Sequence, residues 1–191
     1  MRLASAPARP VVVRVETSYV PAKDGSEAEA RSEGFVVSRL FLRIVRDVTP
    51  ERVPLERAGL TQTLAVGDVI EERVQVVNPK ERHYVAVVVP LAAGVEVLNP
   101  ALATAPPEAR PSASLTLAPS YVAFRDDHVA FYYDTLPPGT FDFAFRSRTT
   151  VAGRYVQPPA RAEMMYDGAV WGRSHGARIV VEAKAEGAKA P

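Results

Sequence analysis

Residues 131–174 have the sequence FYYDTLPPGTFDFAFRSRTTVAGRYVQPPARAEMMYDGAVWGRS. An aromatic run is followed by a Pro-Pro-Gly turn, a segment in which apolar and polar residues alternate, a break at Gly153 and a Met-Met-Tyr segment. Alternation with a period of two residues is typical of β-strands that bury one face, and proline and glycine are typical of the turns between them. The stretch therefore predicts antiparallel β-structure.

The rest of the chain shows the same short apolar runs, each ending near proline, glycine or asparagine. Residues 46–60 are predicted to be a linker, and residues 101–119 a long surface loop with one weak strand at 115–117. A strand about every ten residues and 17 prolines, which helices tolerate badly, predict an all-β antiparallel sandwich of the Ig-like class with little or no helix. Strands are predicted at 11–15, 35–45, 64–66, 69–77, 83–89, 94–98, 122–125, 129–134, 140–150 and 178–182.

The composition excludes several classes of function. The chain has 191 residues and is 47% hydrophobic, which is enough for a packed core. Its 23 lysines and arginines against 22 aspartates and glutamates leave a formal charge of +1, so no strong field attracts nucleic acid. The absence of cysteine excludes disulfides, thiolate zinc sites and cysteine nucleophiles.

The hydropathy of the chain bears on its location. The longest apolar run, residues 85–98, contains Pro90, Gly94 and Glu96 and is too short to cross a bilayer, so no direct membrane insertion is expected. No apolar segment of signal-peptide length follows Met1. The sequence therefore predicts either a cytosolic protein or an internal piece of a longer exported chain.

Candidate catalytic and metal-binding groups are scattered. Three histidines lie far apart without metal-type spacing, so neither a metal nor a cofactor is predicted; they are His83, His128 and His175. The adjacent pairs Asp126–Asp127 and Glu71–Glu72 would point to opposite faces of a strand, which makes them poor acid–base pairs. Ser174 precedes His175, but the strand–elbow–helix context of a serine nucleophile is missing. A non-enzymatic protein is predicted, with a hydrolase as a remote alternative.

One apolar cluster stands in a segment that is otherwise typical of a loop. It comprises Met164, Met165, Tyr166 and Trp171. Methionine and aromatic side chains either fill a core or form contact surfaces, where they bury a large area and adapt their shape. The residues alone leave both interpretations open.

Several fragments, taken in their order and spacing, resemble the C-terminal end of the bacterial α2-macroglobulin family from about residue 34 to residue 174. Two positions depart from the family pattern, because Val89 stands where aspartate is usual and Ala92 where proline is usual. Both concern local turn geometry. The fragments are GFVVSR (34–39), VGDVI (66–70), RHYVAVVVPLAAGVE (82–96), RDDHV (125–129), GTF (139–141), GRY (153–155), PPA (158–160), AEMMY (162–166) and GRS (172–174).

The resemblance implies a C-terminal macroglobulin-type (MG10-like) domain of a large protease trap. Such traps consist of many macroglobulin-type sandwiches; cleavage of a bait region triggers capture of the protease by a reactive Cys–Gln thioester. Residues 1–33 are then expected to be a linker or the last strands of a preceding β domain, residues 34–182 the sandwich and residues 183–191 a disordered tail. The expected location is periplasmic or extracellular, within a larger exported chain with or without a lipid anchor.

The resemblance also implies a role for the apolar cluster. In the family, a Met-Tyr pair of this domain lies against the thioester domain and shields the reactive bond, which carries over to Met165 and Tyr166. With Met164 and Trp171 they form the expected interdomain contact. The expected partners are the thioester domain and neighbouring domains of the parent chain, with proteases as targets of the whole protein. The alternative is a free-standing Ig-like binding or structural module of a cell-envelope protein.

Overall fold

The computed structural model describes Glu16 and residues 25–44, 51–54 and 57–183. Within these ranges fourteen strands and two short 3-10 helices, Gly25–Glu27 and Pro107–Ala109, form the ordered elements. The strands are β1 (Arg31–Glu33), β2 (Val36–Ile44), β3 (Glu51–Pro54), β4 (Leu60–Ala65), β5 (Val69–Asn78), β6 (Arg82–Pro90), β7 (Val95–Leu98), β8 (Tyr121–Phe124), β9 (His128–Leu136), β10 (Gly139–Thr149), β11 (Gly153–Gln157), β12 (Arg161–Met164), β13 (Asp167–Arg173) and β14 (Ala177–Glu182).

The strands form three sheets. A six-stranded sheet has the order β1-β13-β12-β6-β9-β8, and a five-stranded sheet has the order β3-β2-β5-β10-β7. A three-stranded sheet has the order β11-β14-β4, in which β14 and β4 pair in parallel, whereas the other pairs are antiparallel. The predicted all-β antiparallel sandwich with little helix is confirmed.

The larger hydrophobic cluster lies where the two large sheets face each other. Alternate residues of the central strands enter it, such as Val85, Val87 and Val89 of β6, as the period of two requires. The rings of Phe131 in β9 and Phe143 in β10 meet with centroids 5.0 Å apart and so join the sheets. Besides these two rings, its fully buried members include Phe35, Val74, Val76, Val85, Val87, Val89, Val129, Leu136 and Phe145.

A smaller cluster lies beneath the three-stranded sheet. Alternate residues of β14, namely Ala177, Ile179 and Val181, pack there against Leu64 of β4 and Phe41 of β2. The parallel pairing of β14 with β4 aligns Ala177 with Leu60 and brings the two strands side by side over this cluster. The last described strand therefore completes a small core that is otherwise formed mainly by residues from the first half of the chain.

The predicted strands agree with the observed ones where large apolar residues mark them. The predicted linker 46–60 is wrong in part, because Glu51–Pro54 forms an edge strand on β2. The weak strand predicted at 115–117 is also wrong: among the described residues the long loop contains only a 3-10 turn, and Leu115 and Leu117 pack on the large cluster. Strands β11, β12 and β13 were not predicted, because their fully buried positions carry Gln157, Ala162 and Gly172, which give no hydrophobic pattern.

Some predicted features lie at the ends of the chain. The predicted strand at 11–15 and residues 184–191 of the predicted tail lie outside the described residues. Residues 31–33 pair with β13 as part of the six-stranded sheet. The division into residues 1–33, 34–182 and 183–191 stays a prediction.

Gly172 marks the closest approach of β13 to the start of β2. A β-carbon added there would overlap the carbonyl oxygen of Phe35, which is backbone and cannot rotate away. We expect Gly172→Ala to lower the free energy of unfolding by about 1–3 kcal/mol, the usual range for overpacking. Gly168 also lies in β13, but a β-carbon added there would meet no atom within 4 Å, so Gly168→Ala is the matched control. Equal urea midpoints for the two variants would contradict the expected steric clash.

Candidate functional site

The predicted contact residues lie on a hairpin formed by β12 and β13. Met164 pairs with Asp167, so that Met165 and Tyr166 form the two-residue turn at its tip. The hairpin is irregular: Glu163 pairs with Trp171, and the register then shifts before Met164. Because β12 is hydrogen-bonded to β6 on its other side, the tip is attached to the middle of the six-stranded sheet.

Exposure differs sharply along this hairpin. Met164 is half-buried and packs on the large hydrophobic cluster. Met165 is 42% exposed and Tyr166 is 81% exposed, which makes Tyr166 a large aromatic side chain that projects from the surface. The structure therefore divides the methionine pair into one residue that anchors the hairpin and one that faces outward.

The neighbouring strand β6 supports the tip. The backbone N–H of Met165 donates to the carbonyl oxygen of Tyr84 at 2.9 Å. The rings of Tyr84 and Tyr166 meet edge to face, with centroids 5.3 Å apart and an interplanar angle of 80°. Tyr84 was not among the predicted site residues, and no local sequence signal reveals it, because its role depends on the pairing of β6 with β12.

The guanidinium of Arg82 lies beneath the tip and is largely buried. Its Nη1 contacts the sulfur of Met164 at 3.7 Å, and its Nη2 donates to the carbonyl oxygen of Gly34 at 3.1 Å. Its Nε donates to Oδ1 of Asn78 at 3.0 Å, and the group stacks 4.8 Å from the ring centre of Phe35. These contacts link Met164, next to the turn, to the residues just before β2 and to the end of β5.

Trp171 has a different environment from the tip. Arg31, Arg173 and Arg161 align across β1, β13 and β12, and their guanidinium carbons lie 5.0–5.8 Å from the indole centre. Acidic neighbours balance these charges: Glu33 pairs with Arg31 at 2.9 Å and Glu163 with Arg161 at 2.5 Å. Trp171 is thus half-buried among side chains of its own sheet, whereas Met165 and Tyr166 are exposed.

The other candidates for chemistry do not converge. Each histidine has a separate partner: Thr135 for His83, Asp127 for His128, and Glu29 for His175. Ser174 is buried; its hydroxyl accepts from the N–H of Ala160 at 3.0 Å and donates to the carbonyl oxygen of His175 at 3.1 Å, so it is directed at backbone groups and not at the imidazole.

Metal sites and membrane-spanning helices are both absent from the part of the chain that the structure describes. No three His, Asp or Glu side chains in it are grouped closely enough to hold a metal ion. No helix in the same residues has the length and hydrophobicity needed to cross a membrane.

Comparison with known proteins identifies the family. A family model of the bacterial alpha-2-macroglobulin MG10 domain matches residues 34–168. The chain belongs to this family. The match includes β12 and the turn residues Met165 and Tyr166, so the hairpin tip of this MG10 domain lies inside the matched region.

Relatives of this MG10 domain are much longer proteins. An alpha-2-macroglobulin homolog of Nostoc is 25% identical over 154 residues, covering 75% of this chain but only 8% of the relative. Salmonella alpha-2-macroglobulin reacted with methylamine superposes with a TM-score of 0.59 at 20% identity, covering 82% of this chain and 10% of that one. Escherichia coli alpha-2-macroglobulin activated by porcine elastase gives 0.62 at 18% identity, with 81% and 14% covered. The MG10 domain thus spans a small part of each relative.

Proposed function

We propose that this MG10 domain belongs to a larger bacterial alpha-2-macroglobulin-like protease inhibitor, in which its β12–β13 tip docks on the thioester domain and shields the thioester. The observation that carries the proposal is the Met165-Tyr166 turn. Exposed turns are usually built from glycine, proline, asparagine, aspartate or serine, whereas this turn carries a methionine that is 42% exposed and a tyrosine that is 81% exposed. Two large apolar side chains at such a turn are explained by a partner surface that covers them.

The reactivity of a thioester explains why such a contact would be needed. Water and amines attack the thioester carbonyl, so the bond persists only in a site from which nucleophiles are excluded. The thioether of Met165 is apolar and adapts its shape, and the ring of Tyr166 offers a large apolar face. Neither side chain is charged, so both suit a lid over such a bond. A conformational change after bait cleavage would withdraw the lid and expose the carbonyl to the trapped protease. The half-buried Met164 anchors the hairpin, and Trp171 with its arginines flanks the contact.

The proposal places the domain in a larger exported chain, in the periplasm or outside the cell. Alpha-2-macroglobulins of Salmonella and Escherichia coli share the fold, and their chains are several times longer than this one. The partners are then the thioester domain and the adjoining domains of the same polypeptide, and proteases are the targets of the whole protein.

Tyr166→Ala in the full-length parent protein tests the shielding role. We expect the rate of thioester cleavage by methylamine to rise about tenfold or more, since burial of a large apolar side chain contributes about 1.5–3 kcal/mol. The measurement is the release of the cysteine thiol with time. Tyr121→Ala is the matched control, because Tyr121 is also exposed but lies on β8 at the far edge of the same sheet. An unchanged rate for Tyr166→Ala would refute shielding.

The alternative, a free-standing binding module, predicts a different mass for the native polypeptide. An antibody against the domain would detect a polypeptide many times heavier than 20.7 kDa if the domain belongs to a trap. A native band near 20.7 kDa would favour the free-standing module.

A further inference from the structure

Tyr84 has a backbone conformation that sets it apart. Its φ angle is +54°, and it is the one non-glycine residue with a positive φ in the described part of the chain. A tyrosine adopts the left-handed region only at an energetic cost, and such residues persist where surrounding contacts demand them. The residues on either side, His83 and Val85, pair normally with β9, while Tyr84 has no Cα partner there. The irregularity is therefore confined to one residue.

The contacts of Tyr84 show what this conformation achieves. Its carbonyl oxygen accepts the N–H of Met165, and its ring meets the ring of Tyr166 edge to face. Both rings are mostly exposed, at 51% for Tyr84 and 81% for Tyr166, so core packing does not explain the contact. The two residues that precede the turn differ in this respect. Glu163 and Met164 pair with β6, and Met164 also contacts Arg82, so both are fixed to the sheet without Tyr84.

We infer that Tyr84 is a positioning residue for the hairpin tip: its backbone fixes the Met165 N–H and its ring holds the Tyr166 ring outward before a partner binds. The inference rests on the proposed function in taking the tip as the docking surface. A tip that is ordered in advance loses less conformational freedom on docking, which strengthens the contact. The partner surface that it fits is that of the thioester domain named in the proposed function.

The test uses the 191-residue chain itself, with NMR signals assigned for the Tyr166 ring protons and the Met165 amide. In Tyr84→Ala we expect loss of the ring-current shift and of the nuclear Overhauser contact between residues 84 and 166. We also expect hydrogen exchange at Met165 to become about three- to tenfold faster, the range that one edge-to-face aromatic pair supplies. Tyr84→Phe keeps the ring and should restore both signals to within about twofold of the unchanged chain.

Two further variants separate positioning from a general effect on folding. Tyr84→Leu keeps apolar bulk without an aromatic ring and should behave like Tyr84→Ala. Tyr121→Ala removes an exposed ring from β8, where it stacks on Tyr132 at 6.0 Å, and should leave the signals of Met165 and Tyr166 unchanged. Unchanged Tyr166 and Met165 signals in Tyr84→Ala and Tyr84→Leu, or a failure of Tyr84→Phe to restore them, would overturn the inference.

These readouts are independent of the thioester. If Tyr84 orders the tip but Tyr166→Ala leaves methylamine cleavage of the parent unchanged, the positioning role stands and the shielding role fails. If Tyr166→Ala accelerates cleavage but the Tyr84 variants leave the tip signals unchanged, the shielding role stands and the positioning role fails.

Discussion

Arg39→Met is expected to lower the free energy of unfolding of this chain by about 3–5 kcal/mol, because it would leave the carboxylate of Glu72 buried without a countercharge. Both side chains are fully buried, and the Nε of Arg39 donates to Oε2 of Glu72 at 3.0 Å. The guanidinium also donates to the carbonyl oxygens of Pro158 at 2.8 Å and Pro90 at 3.0 Å. The pair therefore links β2 and β5 to the last residue of β6 and to the segment that follows β11.

The pH dependence of this loss follows from the pKa of Glu72. Burial raises that pKa above 4.5, and the charge and hydrogen bonds of Arg39 oppose the increase only in part. A carboxyl whose pKa is raised on folding favours the folded state below the unfolded pKa, and this contribution is lost as the pH rises through the folded pKa. Arg39→Met removes the opposing charge, so its deficit should be smallest below about pH 4.5 and should grow above it.

Urea unfolding at several pH values measures this effect. The control is the double variant Arg39→Met/Glu72→Leu, which replaces the ion pair with apolar groups and should unfold close to the unchanged chain. Glu72→Leu alone should be as unstable as Arg39→Met, since it leaves the guanidinium unpaired. A loss below about 1 kcal/mol for Arg39→Met, or a double variant as unstable as the singles, would show that the pair is not the linkage described here.

Glu71→Ala is expected to loosen the loop of residues 101–119 around Ser112 and to lower the free energy of unfolding by about 2–3 kcal/mol, the scale of losing hydrogen bonds to a charged group. The carboxylate accepts the backbone N–H of Ser112 at 2.7 Å and its hydroxyl at 2.8 Å. The Nε atoms of Arg73 and Arg146 each donate to it at 2.9 Å. Glu71 thus attaches the part of the loop around Ser112 to β5 and β10, while Arg146 and Arg148 hold the nearby Glu108.

The pKa of Glu71 gives the sign of the pH effect. Burial alone would raise it, but the hydrogen bonds from Ser112, Arg73 and Arg146 together outweigh burial and hold the pKa below 4.5. A carboxyl with a lowered pKa stabilises the fold above the unfolded pKa, and that stability is lost as the pH falls through the folded pKa. The loop should therefore stay attached at neutral pH and loosen only below about pH 4.5.

Hydrogen exchange at the Ser112 amide and cleavage by elastase within the alanine-rich loop both report its attachment. Each should accelerate in Glu71→Ala. The matched control is Glu33→Ala, which breaks the exposed pair with Arg31 and should change stability by less than about 1 kcal/mol. A Ser112 amide that is equally protected in Glu71→Ala and in the unchanged chain would mean that other contacts attach the loop.

The two glutamates illustrate what the sequence could and could not predict. Their adjacency in a strand correctly placed Glu71 and Glu72 on opposite faces of the sheet. Their partners Arg39 and Ser112 come from distant parts of the chain, so only the tertiary structure shows that both carboxylates are buried and what compensates each. A local pattern gives the direction of a side chain, and strand pairing gives its environment.

The same distinction explains the strands that were missed. Strands with valine and phenylalanine at the buried positions, such as β6 and β10, were predicted within a few residues. In β12 and β13 the inward positions carry Ala162 and Gly172, because the carbonyl of Phe35 leaves no room for a side chain at Gly172. Small residues give no hydrophobic periodicity. The hairpin that carries Met165 and Tyr166 was therefore not predicted. These two residues were noted as part of an apolar cluster and given a contact role only through the family resemblance, and Tyr84 was not noted at all.

The parallel pairing of β4 with β14 also constrains the order in which the chain can fold during synthesis. Leu64 and Phe41 leave the ribosome long before Ile179 and Val181, with which they share the smaller cluster. Contacts between residues so distant in sequence form slowly, since a long loop must close first. A nascent chain that has reached only β10 therefore holds an open apolar surface. We expect the domain to become resistant to proteases and ready for assembly only after β14 has been translated.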